Sequence, residues 1–350
     1  MENSPLEITC PIPLSDYPNI LMAHGGGGRL MQQLLDKIFF SAFGNPILDL
    51  HHDSALLNLE EKNIAMTTDS YVVHPLFFPG GDIGSLSVYG TVNDLAMAGA
   101  RPRYVSAGFI LEEGLPLATL WRIVLSMKEA AQKSGVQIVT GDTKVVERGK
   151  GDGIFINTTG VGILPEGRQV TPQRIQSGDV LLLNGDLGRH GMAIMAAREG
   201  LEFETALASD SAPLNGLVEA LFAEGMDVHC LRDLTRGGLA SVLVELSEAS
   251  GSIFEIEEIN IPVIEAVQGA CEVLGLDPLY VANEGRMVMM IPASEEHRAL
   301  EILRKHPAGG EAVRIGRVRE KSRPQVILTS KIGVPRVIDR LSGEQLPRIC

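Results

Sequence analysis

The stretch that decides the fold class runs from residue 117 to residue 146 and reads LATLWRIVLSMKEAAQKSGVQIVTGDTKVV. Apolar residues in its first part recur with the 3.6-residue period of an amphipathic helix, which predicts a helix over 117–133. The apolar run at 137–140 predicts a strand, and the glycine and aspartate after it predict a turn where that strand ends. A helix, a strand and a polar turn in this order are typical of an α/β protein.

The same alternation continues in both directions along the chain. It predicts an N-terminal segment with a Gly-rich loop over 1–46, a first domain over 47–164 and a second domain over 175–329. Each domain is expected to be α/β or α+β, with a mixed sheet flanked by helices. Residues 331–350 contain glycines and prolines at short intervals, which predicts a mobile, extended tail that ends in Cys350.

Composition excludes several classes of function. The 350 residues carry a formal net charge of −14, which argues against a nucleic-acid-binding surface. No stretch approaches the roughly 18 uncharged residues that cross a bilayer, and the first residues do not resemble a signal peptide. The four cysteines lack any C-x-x-C spacing, so we expect neither a disulfide scaffold nor a zinc site, and a reducing cytoplasm.

Aspartates in turn-like contexts form the first candidate site. Two of them, Asp69 and Asp142, follow strand-like segments, where an open α/β fold gathers its ligand groups. Mg²⁺ binds carboxylate oxygens together with phosphate and water, so this pattern favours a magnesium site. The alternative is that aspartate is simply common in turns. The four candidate ligands are Asp53, Asp69, Asp94 and Asp142.

Glycine-rich turns form the second candidate site. The run Gly25–Gly28 precedes a predicted helix over 29–41, so backbone N–H groups at Gly26 and Gly27 could approach phosphate oxygens. A flexible segment would have the same sequence. The stretch DLTRGG at 233–238 combines Asp233 and Arg236 with two glycines before another helix, which suits phosphate or an ordinary helix cap.

Three further residues could take part in chemistry. Lys144 and Glu284 could transfer protons if they were buried near a reacting group, although each alone is more typical of a solvated charge. Cys350 would be an accessible, unhindered thiol at the end of a mobile tail, or an incidental cysteine. No G-x-S-x-G or H-E-x-x-H motif is present, so a hydrolase or zinc protease is not indicated.

Six longer stretches of the sequence carry a resemblance to one known family. They are PLFFPGGDIG (75–84), GTVNDLAMAGA (90–100), TGDTKVV (140–146), RDLTRGG (232–238), ANEG (282–285) and LPRIC (346–350). On these stretches the chain resembles the HypE family of hydrogenase maturation factors, carbamoyl dehydratases of the PurM-like superfamily named after aminoimidazole ribonucleotide synthetase. The resemblance implies the two-domain PurM-like fold.

The resemblance also implies a reaction. A carbamoyltransferase, HypF, is expected to load a carbamoyl group onto Cys350, after which the tail enters the protein's own ATP site. ATP then dehydrates the carbamoyl group to a thiocyanate, and the cyano group passes to hydrogenase iron carried by a HypC–HypD complex. By the same resemblance Lys144 and Glu284 are the proton-transfer residues.

The resemblance further implies a homodimer and a metal–nucleotide site. Within GRHG at 188–191 the chain has Arg189 where the family usually has aspartate, which puts specificity at that position in question. Two alternatives remain: a small-molecule ATP-dependent synthetase or kinase of the superfamily, and a non-catalytic scaffold. The expected contacts are Asp53, Asp69, Asp94 and Asp142 to Mg²⁺, and these four with Gly26, Gly27, Asn93, Thr143, Asp233 and Arg236 to ATP.

Overall fold

The computed structural model describes residues 18–25, 29–48, 63–200, 207–321, 323–340 and 349–350 of the chain. A short helical region precedes the first domain, and its buried Ile20, Leu34 and Ile38 pack into the core of that domain. The side-chain amide of Asn45 donates a hydrogen bond to the carbonyl of Ile138 at 2.9 Å, which ties the region to the sheet. Its helices are α1 (Arg29–Leu34), a π-helical segment (Leu35–Phe40) and α2 (Ser41–Phe43).

The first domain is a four-stranded sheet with two helices on one face. The order is β1-β6-β4-β5, and only the β4–β5 pair is parallel. A small hairpin, β2–β3, leads into the first of the helices. The elements are β1 (Ile64–Tyr71), β2 (Phe77–Phe78), β3 (Gly81–Asp82), α3 (Ile83–Met97), β4 (Arg101–Glu112), α4 (Leu117–Ser134), β5 (Gln137–Val146) and β6 (Ile154–Ile163).

Helix α3 begins at a complete capping box. The Asp82 carboxylate accepts hydrogen bonds from the N–H groups of Gly84 and Ser85, and the Ser85 hydroxyl accepts one from the Asp82 N–H. Such a cap satisfies backbone donors that have no partner within the helix. The start of α3 is therefore fixed, and with it the position of Asn93 and Asp94 near the other end of the helix.

The second domain is a seven-stranded sheet of order β13-β12-β9-β11-β7-β10-β8, in which only β9 and β12 are parallel neighbours. Buried β7 and β10 are interior strands close to the β8 edge of this sheet, with apolar clusters on both of its faces. The elements are β7 (Asp179–Leu183), α5 (Arg189–Glu199), α6 (Asn215–Ala223), β8 (Cys230–Asp233), α7 (Gly238–Ser250), β9 (Ser252–Glu257), α8 (Glu265–Leu274), β10 (Met287–Pro292), α9 (Glu296–Lys305), β11 (Val313–Lys321), β12 (Gln325–Thr329) and β13 (Pro335–Ile338).

The tail differs from the prediction in its first part. Residues Pro335–Ile338 form the edge strand β13, paired antiparallel with β12. Burial of Ile338 among apolar residues of the second domain explains why this segment joins the sheet. The predicted extended tail over 331–350 therefore includes a strand of the second domain.

The two mixed sheets flanked by helices confirm the predicted fold class. Among the described residues, none of the helices combines the length and the apolar character needed to cross a membrane. The described cysteines Cys230, Cys271 and Cys350 are free thiols.

Candidate active site

The last two residues of the chain lie between the two domains. The N–H of Val72, just after β1, donates a hydrogen bond to the carbonyl of Cys350 at 3.1 Å. The side chain of Ile349 is only 4% exposed and packs into the core of the first domain. The tail end is therefore held inside the protein, at the end of β1.

The environment of the Cys350 thiol disfavours its charged form. Burial, together with the negative charges of Glu284 and Asp69, raises the pKa of Cys350 to about 12 against the opposing charge of Arg236. A thiol in this position is protonated at neutral pH. The thiol is therefore a weak nucleophile in this position.

Glu284 lies close enough to Cys350 to affect its titration, and it is itself buried at 4% exposure. Its Oε1 atom has no hydrogen-bond partner among the described residues. Burial raises the pKa of Glu284 well above its ordinary value, followed by the charges of Asp233 and Asp210. A carboxyl group of this kind is a stronger base than an exposed one, which suits proton transfer.

The backbone of Glu284 is held by an aspartate from another segment. The Asp210 carboxylate accepts hydrogen bonds from the N–H groups of Glu284 and Gly285, at 3.2 and 2.9 Å. A Cβ at Gly285 would lie 2.0 Å from the carbonyl oxygen of Asp210, so only glycine fits there. The ANEG stretch is thus built around the close approach of these two segments.

Two more predicted aspartates face the same region. The hydroxyl of Thr67 donates a hydrogen bond to Asp94 at 2.8 Å, and burial followed by the charge of Asp69 raises the pKa of Asp94. Burial and the charge of Asp94 raise the pKa of Asp233 to about 7. Asp94 and Asp233 line an interdomain cleft of about 460 Å³, together with Thr67, Arg232 and Thr235.

Asp142, Thr143 and Lys144 lie on β5, at the opposite edge of the first sheet from β1. Lys144, whose side chain is 65% exposed, pairs with Asp142 at 2.5 Å and lowers the pKa of that carboxyl group. Thr143 is buried, and with Asp142 it borders a small, mostly apolar pocket of about 60 Å³ between β5 and the N-terminal helical region.

One chain therefore does not form the expected cluster of carboxylates. Along one row of the sheet, Asp69 lies opposite Thr158, Thr158 opposite Ala107, and Ala107 opposite Gly141. Three strand spacings place Asp69 and Asp142 roughly 14 Å apart. Lys144 is separated from Glu284 and Cys350 for the same reason. In the described part of the chain, no group of three or more His, Cys, Asp or Glu residues could hold a metal ion.

The remaining predicted residues have different positions. Asn93 is buried, and its side chain donates to the carbonyl of Ala212 at 3.1 Å and accepts from the N–H of Leu214 at 2.8 Å. Those bonds give it a role in joining the two domains. Arg236 is exposed in the turn before α7. Gly26, Gly27 and Asp53 lie outside the described residues.

Sequence reasoning missed the residue that contacts the tail end most closely. His190 is fully buried, and its Nε2 atom lies 2.6 Å from the carbonyl oxygen of Ile349. Its only signal in the sequence is a histidine close to two glycines in GRHG (188–191), at the start of α5. The neighbouring Arg189 points elsewhere and pairs with Asp186, which also binds Arg286 at 2.5 Å.

Comparisons with known proteins extend the description to a family. Two family models, AIR synthase related protein N-terminal domain and C-terminal domain, match residues 51–164 and 176–329. The carbamoyl dehydratase HypE of Azotobacter vinelandii is 54% identical over 95% of this chain and 97% of its own length. The carbamoyl dehydratase HypE of Escherichia coli K12 is 48% identical, over 95% of this chain and 99% of its own length.

Solved structures show the same relationship. A crystal structure of the maturation protein HypE in complex with ATP has a TM-score of 0.91 at 48% identity and covers 94% of this chain and 99% of its own. A HypE–HypF complex has a TM-score of 0.77 at 48% identity, over 90% of this chain and all of the matched chain. A thiamine-monophosphate kinase from Stenotrophomonas maltophilia, with a TM-score of 0.64, is only 18% identical over 85% of this chain and 95% of its own, so it shares the fold alone. With relatives about half identical along almost its whole length, this chain belongs to the HypE family, whose curated members are named carbamoyl dehydratases.

Proposed function

We propose that this protein is an ATP-dependent carbamoyl dehydratase that acts on a carbamoyl group carried by its own Cys350. The product is a thiocyanate on Cys350, and its cyano group becomes a ligand of the iron in a [NiFe]-hydrogenase. The observation that supports this most directly is the position of Cys350, which is held between the domains within electrostatic reach of Glu284. An enzyme with a diffusible substrate, such as a small-molecule kinase, would not need its own C-terminal residues bound at this position.

The reaction converts an S-carbamoyl group into a nitrile in two stages. The carbamoyl oxygen attacks the terminal phosphorus of ATP and ADP leaves, so the poor oxygen leaving group becomes a phosphate ester. The nitrogen loses one proton as this ester forms. The C–O bond then breaks with loss of phosphate, the nitrogen loses its second proton, and a C≡N bond forms. Glu284 is suited to accept one of these protons because its pKa is raised and its Oε1 atom has no other partner.

The acidic cleft suits a divalent cation bound with ATP. Asp94 and Asp233 lie together there. Burial raises the pKa of both, and a neighbouring carboxylate adds to the effect: Asp69 for Asp94, and Asp94 for Asp233. A bound Mg²⁺ would neutralise charge on the phosphates during transfer. Asp94 and Asp233 would hold it jointly with the ATP phosphates, because the described residues alone offer no group of three ligands. Gly26, Gly27, Asp53, Asn93, Asp142, Thr143 and Arg236 stay predicted contacts of the metal–nucleotide site.

We further propose a homodimer formed through the open face of the first sheet. The face turned away from α3 and α4 exposes apolar side chains on β1 and β4, among them Met66 and Ile110. Exposed apolar patches of this kind mark interaction surfaces. Lys144, placed at the far edge of the sheet, would then act at a Cys350 only through the second subunit.

The proposed partners follow from the reaction. HypF, a carbamoyltransferase, would load Cys350, and a HypC–HypD complex would carry the iron that receives the cyano group. The HypE–HypF complex among the related structures supports the first of these. Residence in the cytoplasm stays a prediction of the cysteine pattern.

Product analysis tests the proposal. The chain is first carbamoylated by HypF, separated from HypF and mixed with Mg-ATP. The amounts of ADP and phosphate released are then measured for each carbamoylated Cys350. We expect one ADP and one phosphate for each loaded thiol, and none from Cys350→Ala, which should still bind ATP. Release of ADP independent of loading, or no release at all, would contradict the proposed reaction.

A further inference from the structure

His190 connects the tail end to the second domain by a chain of hydrogen bonds. Its Nε2 atom lies 2.6 Å from the Ile349 carbonyl, and its Nδ1 atom lies 2.8 Å from the hydroxyl of Ser209. A carbonyl oxygen only accepts, so Nε2 carries the proton. In the neutral ring, which burial favours by lowering the pKa of His190, Nδ1 is unprotonated and accepts a hydrogen bond from the Ser209 hydroxyl. These contacts define one tautomer of a neutral imidazole.

Ser209 is itself fixed by its surroundings. Its hydroxyl accepts a hydrogen bond from the N–H of Ser211 at 3.1 Å, and its own N–H donates to the carbonyl of Pro79 at 2.8 Å. A Cβ at Gly80 would lie 2.7 Å from backbone atoms of Ser209, so the FFPGG hairpin and this segment approach as closely as glycine allows. Phe78 of the same hairpin packs edge-on against the His190 ring, with centroids 5.5 Å apart.

The Ile349 carbonyl is one bond away from the amide of Cys350, so whatever holds it also places the thiol. From the other side, Val72 donates to the Cys350 carbonyl. The final dipeptide is thus bound by a backbone donor of the first domain, the Val72 N–H, and by a side-chain donor of the second domain, His190 Nε2. Of the two, only the His190 donor can be removed by substitution without altering the backbone.

We propose that His190 is a positioning residue that seats the Ile349–Cys350 dipeptide beside Glu284, with Ser209 fixing the tautomer that donates. This inference rests on the proposed function, since it assigns a residue to the step that brings the loaded thiol to its site. His190 touches the tail backbone and not the reacting atoms. His190 therefore increases the fraction of molecules in which Cys350 is bound at the site, and it takes no part in the chemistry itself.

The test measures protection of the Cys350 thiol in the full chain, without HypF or nucleotide. Iodoacetamide is added, samples are digested after lysine, and mass spectrometry follows the peptide Ile332–Cys350. In His190→Leu we expect alkylation about tenfold faster, the change that about 1.4 kcal/mol of lost docking produces. In His190→Gln, which keeps an N–H donor near the Nε2 position, the rate should stay within about threefold of the parent.

Two further variants keep the result decisive. Ser209→Ala leaves the imidazole in place but removes the tautomer control, and we expect about threefold faster alkylation. His229→Gln changes another buried histidine, which binds Asp179 in the second domain and not the tail, and should leave the rate unchanged. If His190→Leu does not fold, the Gln and Ala variants decide the question against the same control.

A folded His190→Leu with parental protection would overturn the proposal. Equal exposure in His190→Leu and His190→Gln would also overturn it, because the role would then be packing alone. Since the assay uses no carbamoyl group and no ATP, its outcome is independent of the dehydration reaction. A protein that protects Cys350 through His190 and yet never dehydrates a loaded thiol would refute the proposed function only.

Discussion

A single buried glutamate, Glu284, is the residue near Cys350 that is best suited to proton transfer. Burial raises the pKa of Glu284, and the carboxylates around it, Asp233 and Asp210 first, raise it further. Structural glutamates are normally paired or exposed, because an unpaired buried charge is costly. The arrangement therefore favours a residue kept for proton transfer.

The first prediction concerns this residue. Glu284→Gln keeps the shape of the side chain and removes its basicity, so dehydration should slow by about 100-fold or more while HypF still loads Cys350. Rates are measured as phosphate release from the loaded chain. Glu301→Gln, which alters an exposed glutamate on α9, is the matched control and should turn over normally. Normal turnover by Glu284→Gln would remove Glu284 from the mechanism.

The second prediction concerns stability against pH. The pKa of Asp233 is about 7 in the folded protein and about 4 in the unfolded chain, so the folded state binds more protons between these values. The free energy of unfolding should therefore fall as pH rises through this window, by ~4 kcal/mol at most for this group. The free energy of unfolding is measured by urea titration at several pH values in the presence of EDTA. Asp233→Asn should make its dependence on pH shallower, and Asp339→Asn, at an exposed residue, should leave that dependence unchanged. An unchanged slope in Asp233→Asn would contradict the assignment.

At this scale the sequence was informative where motifs are local. Glu284 in ANEG and Cys350 in the final residues were both predicted, and the structure brings them together. His190 was not predicted, because its partner Ile349 is 159 positions away along the chain. Asn93 was predicted as a ligand, and its bonds to the segment after Ser211 depend on the docking of two domains.

Among the elements, the turn that presents Glu284 is the most constrained. Its glycine lies against the Asp210 carbonyl, where any Cβ would meet backbone that has little freedom to move. Overpacking of this kind costs about 1–3 kcal/mol. Because Asp210 also holds the backbone of Glu284, a shift here would move the glutamate as well.

The third prediction follows for this element. Gly285→Ala should lower the free energy of unfolding by ~2 kcal/mol and slow dehydration, since the turn must open. Gly269→Ala is the matched control: this helical glycine of α8 has open space around its Cβ, so alanine should stabilise by ~0.5–1 kcal/mol. Urea midpoints measure both. Gly285→Ala as stable as the parent would contradict the close approach.

Element boundaries show why the site was only partly predictable. The amphipathic helix α4 was expected over 117–133 and runs to Ser134, because its periodicity is strong. Strand β4 was not predicted, since Pro102 and two arginines interrupt a pattern that alternates between buried and exposed residues. That strand lies between β6 and β5, so its omission hid the separation of Asp69 from Asp142. Strand order depends on long-range pairing, which local patterns do not contain.

For the whole molecule, the open face of the first sheet is a surface that a single chain leaves with exposed apolar side chains. Apolar side chains on β1 and β4 are exposed there, and the far edge of the sheet carries Asp142 and Lys144. A second copy on this face would bury the apolar residues. It would also give Lys144 a route to a site that its own chain does not offer.

The fourth prediction tests that assembly. Ile110 is 45% exposed on β4, and Ile110→Glu should convert the dimer to monomer because it places a charge in the interface. Sedimentation equilibrium measures the mass. Val273→Glu, at a residue 76% exposed on α8 of the second domain, should leave the dimer intact. A monomeric parent, or an unaffected Ile110→Glu dimer, would contradict this interface.

The two-domain architecture was predictable as a whole because alternating strands and helices survive errors in single elements. The relation between the domains was not, since it depends on contacts such as those of Asn93 and the tail end. The active site is formed by that relation. Its composition was therefore predicted better than its geometry.

One measurement tests the central claim most directly: the intact mass of the C-terminal peptide Ile332–Cys350 from the carbamoylated chain, before and after addition of Mg-ATP. The peptide should first carry one carbamoyl group on Cys350 and then lose the mass of one water as the thiocyanate forms. Omission of ATP is the control and should leave the adduct unchanged. A carbamoyl adduct that persists with Mg-ATP, or that is lost whole, would contradict dehydration on Cys350.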